Sequence, residues 1–348
     1  MKAATAPRSA LNRERLLVVD PASAAFSDFS ITDLPRFLNA GDTLVLNDAA
    51  TLPASLRVAE DLELRLMSRL DDGTWLALAL GRGDSQEPTE ARGEPPRLDA
   101  GAHLDFGHGL SARVVSVDAR FWRVVRIAFE QEQSELWQAL YRAARPIQYA
   151  YLDRPLSLWD VQNRYVARPW AFEVPSAGKP LSFETLFRVE ARGVMLAHLT
   201  HAAGLSSTGD PLLDARLPLA ERYEIDEHSV ALVNQSKARG GRVLAVGTSV
   251  TRALEAAGES GVLRAASERT ALLLGPNSRL HICDGLLTGL HEPGTSHYAL
   301  LEAFAPRAVL DRSFQHAERE GYLQHEFGDS CLILRGALGQ APLASWAA

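Results

Sequence analysis

The sequence predicts an α/β fold interrupted by a small all-β insertion, and three observations predict it. After Glu130, short apolar runs of strand length alternate with helical spacings, the pattern of a parallel or mixed sheet covered by helices. Between about Ser55 and Phe129 the pattern changes to short runs broken by Gly, Asp and Pro, as antiparallel strands require. The length, 348 residues, suits two domains or one domain carrying an insertion. The expected boundaries are 1–57 and 130–348 for the α/β main (catalytic) domain and 58–129 for the β-domain.

Ile31 to Gly41 reads as a short helix ending at glycine, followed by a buried strand over Asp42–Asp48. In the insertion, Leu62-Glu-Leu-Arg-Leu alternates strictly, while the runs at 112–117 and 122–129 alternate less so. The polar, Pro/Gly-rich stretch Gly81–Pro96 reads as a mobile loop. Farther on, helices are expected over 135–141, 182–191, 249–257, 296–304 and 312–320, with strands at 195–200 and 242–247. Asp226 is placed to cap a helix that runs to Lys237 and stops at Gly240-Gly241. Arg279–Leu287 reads as a strand pair or a strand plus turn.

Composition narrows the class. The apolar fraction of 46% and charged fraction of 23% are those of a globular protein. There is no run of about 18 apolar residues, so no membrane span is expected, and the start has no apolar stretch before Leu16, which argues for a cytoplasmic protein. Cys283 and Cys331 show no zinc spacing, so no metal is expected. A net charge of −7 argues against a nucleic-acid coat protein and leaves room for a local basic surface. Oligomeric state is not legible.

Five ordered strings carry a family resemblance: Leu34–Leu56 (LPRFLNAGDTLVLNDAATLPASL), Asn163–Ala167 with Val174–Gly178, Gly240–Glu255 (GGRVLAVGTSVTRALE), Asp284–Ser296 (DGLLTGLHEPGTS) and Phe327–Leu334 (FGDSCLIL). Together they resemble the S-adenosylmethionine:tRNA ribosyltransferase-isomerase family of the queuosine pathway. The resemblance implies a barrel-like α/β main domain with an inserted antiparallel β-barrel or sandwich. It implies transfer and isomerisation of the ribosyl group of S-adenosylmethionine onto 7-aminomethyl-7-deazaguanine in the tRNA anticodon loop, giving epoxyqueuosine, adenine and methionine. S-adenosylmethionine is then a co-substrate, and no further cofactor is implied. Such chemistry needs a base for the acidified carbon beside the sulfonium, a donor for adenine and exclusion of water.

Candidate site residues follow. His291, after a predicted strand, suits an acid, a base or a ribose donor; otherwise it is a structural turn residue. Asp284 ends the predicted strand His281–Asp284, where a carboxylate faces the ligand crevice, or else it is a turn aspartate. Gly247 and Thr248 begin a helix whose N–H groups form an anion site, with Arg252 one turn on for a carboxylate or phosphate; the alternative is a Thr248 cap and an Arg252–Glu255 surface pair. His201 matches a family histidine, or is a satisfied strand-edge residue; Arg164 and Tyr165 match a family Arg-Tyr pair, or form a solvated face with one core aromatic. Ser176 and Gly178 lie in a tight turn, where Gly178 lets a ligand approach the backbone. Asp329 is a turn aspartate or a ribose acceptor. Arg142, Arg145, Arg154, Arg164 and Arg168, interleaved with Tyr149, Tyr151, Trp159 and Tyr165, suit single-stranded RNA. A mixed ordinary surface has the same composition.

The chain departs from the family pattern in its polar blocks. Two residues are inserted after Gly178, and Ser182 stands at a histidine position. The H-x-M-H-x-E block reads Arg216-Leu-Pro-Leu-Ala-Glu221, so Glu221 alone joins the catalytic set. Gly289 replaces an asparagine. Imidazole proton transfer is not supplied by Arg or Leu. Two further readings therefore stand beside the first: a paralogue acting from S-adenosylmethionine on a non-tRNA acceptor, and a non-catalytic protein that binds S-adenosylmethionine or RNA.

Overall fold

The computed structural model describes residues 1–8 and 13–338. Among these, one sheet has nine strands in the spatial order Ala266–Thr270, Glu221–Ile225, Met195–His201, Thr43–Asn47, Val243–Val246, Gly285–Gly289, Ser330–Leu334, Arg15–Asp20 and Ala25–Ser30. The four from Met195–His201 to Gly285–Gly289 are mutually parallel. Glu221–Ile225 and Ser330–Leu334 flank them antiparallel.

The central strands are apolar at nearly every position because both faces are covered. Alternation still divides them. Leu17, Val45, Val243, Ala245, Leu286 and Ile333 enter one core with Val233, Val250, Leu254, Leu310 and Phe314 from the helices Glu227–Ala238, Thr248–Ala257 and Arg307–Arg319. Leu16, Leu44, Leu46, Leu244, Val246, Leu287 and Leu332 enter the opposite core with Leu34, Leu186 and Val189, from the 3-10 helix Ile31–Phe37 and the helix Phe183–Glu190. Each such side chain contributes about 1.5–3 kcal/mol on burial. The result is three layers, helix on sheet on helix.

The β-domain is a nearly closed six-stranded antiparallel barrel, ordered Ser55–Ala59, Leu62–Arg69, Trp75–Leu80, Val124–Phe129, Ser111–Val117 and His103–Asp105. Its sheet begins at Ser55, three positions before the expected boundary of 58. Its core is shared with the main body, since Trp75 meets Phe129, Trp137 and Phe172 edge-on and Leu205 and Leu213 pack in.

Two expectations change. The Gly81–Pro96 stretch is pinned: Arg92 is buried and donates to Glu63 Oε2 at 2.6 Å and to the Gly81 carbonyl at 2.6 Å. Arg92 belongs to a buried ion cluster, in which Glu63 also meets Arg65 and Arg57, while most other polar residues of the stretch stay exposed. The strand expected before Asp284 is absent, and the strand runs Gly285–Gly289 instead. The Glu255 carboxylate takes the N–H groups of His281, Ile282 and Cys283, an alternative to a ladder. Cys283 and Cys331 are buried free thiols. No helix among the described residues is long and apolar enough to cross a membrane, and none of their His, Cys, Asp and Glu side chains cluster as a metal set.

Candidate functional site

Four parallel strands end at one edge of the sheet, where α/β proteins open their ligand crevice. Their ends deliver Asn47, His201, Gly247 and, one residue past Gly289-Leu290, His291. The antiparallel neighbours start at the same edge and deliver Glu221 and Asp329.

Val243–Val246 ends at Gly247, whose φ of 102° turns the chain into the helix Thr248–Ala257. An L side chain rarely adopts that φ. Arg252, one turn in, is 7% exposed and hydrogen-bonds the 8%-exposed Glu221. Glu221 Oε1 accepts from the Gly204 N–H at 2.6 Å. The pair is buried, so each charge depends on the other. The Arg252–Glu255 surface pair weighed from sequence is not formed; Glu255 serves the 281–283 backbone. Nor does Thr248 cap the helix: its hydroxyl has no partner among the described residues.

His201 is fully buried, with Nε2 3.6 Å from Glu221 Oε2 and no hydrogen bond to either ring nitrogen. Burial pushes its pKa down to about 4, although Glu221 opposes this. Asn47 holds its backbone, donating to the His201 carbonyl at 3.1 Å and accepting from its N–H at 2.9 Å. His201 is therefore a neutral imidazole, and it is not the satisfied strand-edge histidine weighed from sequence.

His291 Nε2 lies 2.8 Å from Thr288 Oγ1, and its ring stacks on His297 at 5.0 Å and 18°. Burial holds its pKa well below that of an ordinary histidine, with His297 and His325 adding to the effect. His325 stacks on Tyr151 at 4.2 Å.

The turn Ser176–Gly178 lies against Gly247, with the Ala177 side chain beside it. Ser176 keeps a free hydroxyl among the described residues, since only its carbonyl is used, by Lys179. A Cβ on Gly178 would strike the Tyr165 hydroxyl and Asn163 Nδ2. The missing Cβ at Gly178 thus makes room for the partly buried Tyr165. Arg164 is exposed and lies near Lys179, whose pKa burial and Arg164 bring down to about 8.

Two residues do not join the site. Asp284 stands at the start of Gly285–Gly289, at the opposite edge, and accepts from the Val243 N–H at 2.9 Å. The strand begins after Asp284, and its carboxylate holds the neighbouring strand rather than the turn around Gly285. Asp329 reaches the right edge, but its oxygens are taken by Arg8 (2.6 Å), the Arg15 N–H (3.0 Å) and the Leu323 N–H (2.8 Å). It is a buried aspartate held by three protein donors, which ties its carboxylate to the chain's own termini and the 323–329 turn.

Between barrel and sheet lies a cleft of about 710 Å³, lined by Arg69, Trp75, Trp137, Trp170, Arg222 and Arg269 among others. It adjoins the site, for Ala202 and Arg222 directly follow His201 and Glu221 in sequence. Arg222 lies 4.0 Å over the Trp170 ring, and Arg69 lies over both Trp75 (5.6 Å) and Trp137 (5.9 Å). Sequence reasoning placed arginine and aromatics at 142–168 and missed this set, which comes from five separated segments. Of the aromatics it named, Tyr149 is hydrogen-bonded to Glu173, whereas Trp159 is 83% exposed. His297 was also missed, since spacing alone does not reveal a ring stack formed across a loop.

Comparison with known proteins agrees with this architecture. A family model described as queuosine biosynthesis protein matches residues 1–333. A protein of Acidithiobacillus ferrooxidans named S-adenosylmethionine:tRNA ribosyltransferase-isomerase is 33% identical, over 95% of this chain and 94% of its own. One of the same name from Moorella thermoacetica is 31% identical over 94% of both. The crystal structure of S-adenosylmethionine tRNA ribosyltransferase from Thermotoga maritima shares the fold, with a TM-score of 0.52 at 21% identity over 95% of this chain and 96% of that one. Motif order, fold and full-length identity converge, and the chain belongs to the queuosine biosynthesis protein family.

Proposed function

We propose that this chain transfers and isomerises the ribosyl group of S-adenosylmethionine onto 7-aminomethyl-7-deazaguanine in tRNA, forming epoxyqueuosine and releasing adenine and methionine. The observation that carries the reading is full-length identity to relatives bearing that enzyme name. The site supports it. His291 is a neutral imidazole at the strand ends, the state needed to accept a proton near a sulfonium, and the buried His201 is neutral as well. Gly247 and Thr248 offer helix N–H groups to an anionic part of the substrate, and Ser176 offers a hydroxyl. Arg252 is committed to Glu221, so its role is to hold that carboxylate beside His201 while its unbonded Nη1 remains for substrate.

The cleft supports an RNA acceptor. Guanidinium groups stacked on indoles suit unpaired bases and phosphates, and the anticodon loop provides both. In this reading the barrel, 58–129, is a separate inserted domain forming one wall. The enzyme works in the cytoplasm with S-adenosylmethionine as co-substrate and no metal. The test is incubation with S-adenosylmethionine and tRNA carrying the precursor base. Adenine release with a matching gain in nucleoside mass is expected; absence of both refutes the reading. Adenine release without RNA would favour a small-molecule acceptor, the reading suggested by the missing histidines of 216–221.

A further inference from the structure

We propose that His297 is a second catalytic imidazole of this centre, taking the proton from the substrate carbon beside the sulfonium. The inference rests on the function proposed above. His297 lies in the first turn of the helix Ser296–Leu301, fixed by Thr295, whose hydroxyl accepts the Tyr298 N–H at 3.2 Å. Its ring is parallel to that of His291, 5.0 Å away. The other charged groups facing it are Arg252 and Glu221, from the helix Thr248–Ala257 and the strand Glu221–Ile225.

Three observations separate His297 from the other imidazoles here. His291 is held through Nε2 by Thr288, so one of its nitrogens is already engaged. His201 is sealed in the interior at 0% exposure. His297 is partly exposed, and neither ring nitrogen has a hydrogen-bond partner among the described residues. Of these three imidazoles it is the one with both nitrogens unengaged and partly open to the site.

Its surroundings suit a base. Burial and the neighbouring Arg252 keep the ring neutral at rest, so a nitrogen lone pair is free. On transfer, the C–H electron pair stays on the carbon beside the positive sulfur and the proton passes to imidazole nitrogen. Glu221 then faces the imidazolium and offsets part of the cost that burial and Arg252 impose on it. The stack on His291 fixes the ring plane. No oxidant or reductant is needed.

The test uses the full chain with S-adenosylmethionine and precursor tRNA. His297→Phe keeps an aromatic ring on His291 and removes both nitrogens. It should lower kcat about a hundredfold or more, the usual worth of a positioned general base, with both KM values within about threefold of native. His297→Ala should recover activity with added imidazole, as a lost base allows and a lost packing contact does not. Native melting temperatures for His297→Phe would exclude misfolding. If His297→Phe retains a third or more of native kcat, or if imidazole fails to rescue a folded His297→Ala, the proposal is overturned. An inactive native protein would instead refute the functional reading on which it rests.

Discussion

The strand-end site and the cleft beside it are built on opposite principles. At the strand ends, charge and imidazole are withdrawn from water: Arg252 and Glu221 are both under 10% exposed, and His201 is fully buried. In the cleft, arginines lie over indole faces along an open wall between barrel and sheet. The first arrangement fixes protonation states and geometry at a cost in desolvation. The second leaves cations able to meet phosphate and rings able to meet bases. The two arrangements are separated by as little as one residue, Glu221 facing the former and Arg222 the latter.

That contrast is open to attack in order of expected effect. Glu221→Ala leaves the Arg252 guanidinium buried without its carboxylate and should cost about 3–5 kcal/mol in denaturant unfolding; a loss below about 1 kcal/mol would mean that the edge is wet. Trp170→Ala removes the ring under Arg222. Stacking worth about 1–3 kcal/mol per base predicts a rise in KM for tRNA of about tenfold, with calorimetric affinity for S-adenosylmethionine unchanged. An equal loss of both affinities would merge the two regions into one.

A third test concerns protonation. Glu14 is buried, accepts from Ser330 Oγ at 2.9 Å, and burial raises its pKa from 4.5 to about 8. The folded state therefore holds a proton that the unfolded chain releases above pH 4.5, so this contribution to stability is full below 4.5 and is lost as pH rises through about 8. Glu14→Gln should remove the alkaline loss and raise the melting temperature at pH 8 by a few degrees, with little change at pH 4.5. An unchanged pH dependence would show Glu14 ionised in the fold. Next, Arg69→Gln and Arg269→Gln should each reduce the slope of log KM for tRNA against log salt by about 0.7; an unaltered slope would remove phosphate from the cleft. The smallest effect is expected for Trp159→Ala on the exposed 3-10 turn Leu158–Val161, with KM changing less than about twofold. A change matching that of Trp170→Ala would move the RNA track onto this second surface.

Local chemistry made much of the fold legible in advance. The strand at 43–47 and the helix capped by Asp226 were readable because burial and capping act over a few residues. The placement of candidate residues was legible where a strand end fixes them, as at His201 and Gly247. It was less legible where the partner is distant. Nothing around Asp329 announces that Arg8 and the Arg15 N–H will consume its oxygens. Nothing around Arg252 announces Glu221, 31 positions earlier. Asp284 misled because an apolar run, His281-Ile-Cys, looks like a strand yet gives its N–H groups to a buried glutamate. The cleft was illegible because it is assembled by the docking of two sheets.

One pairing bears on how the chain is made. The early strand Arg15–Asp20 lies between the hairpin partner Ala25–Ser30 and the very late strand Ser330–Leu334. Glu14 and Ser330, joined side chain to side chain, are 316 positions apart. While a ribosome delivers the chain, the first hairpin must therefore present an open edge until the last strand emerges. At about 5–20 residues per second, that interval is roughly 15–60 s. A nascent chain would need shielding along that edge, and a release after the Asp284 region would leave it bare. The dependence should appear as late acquisition of protease resistance during synthesis, with the barrel, whose strands all lie between 55 and 129, protected first.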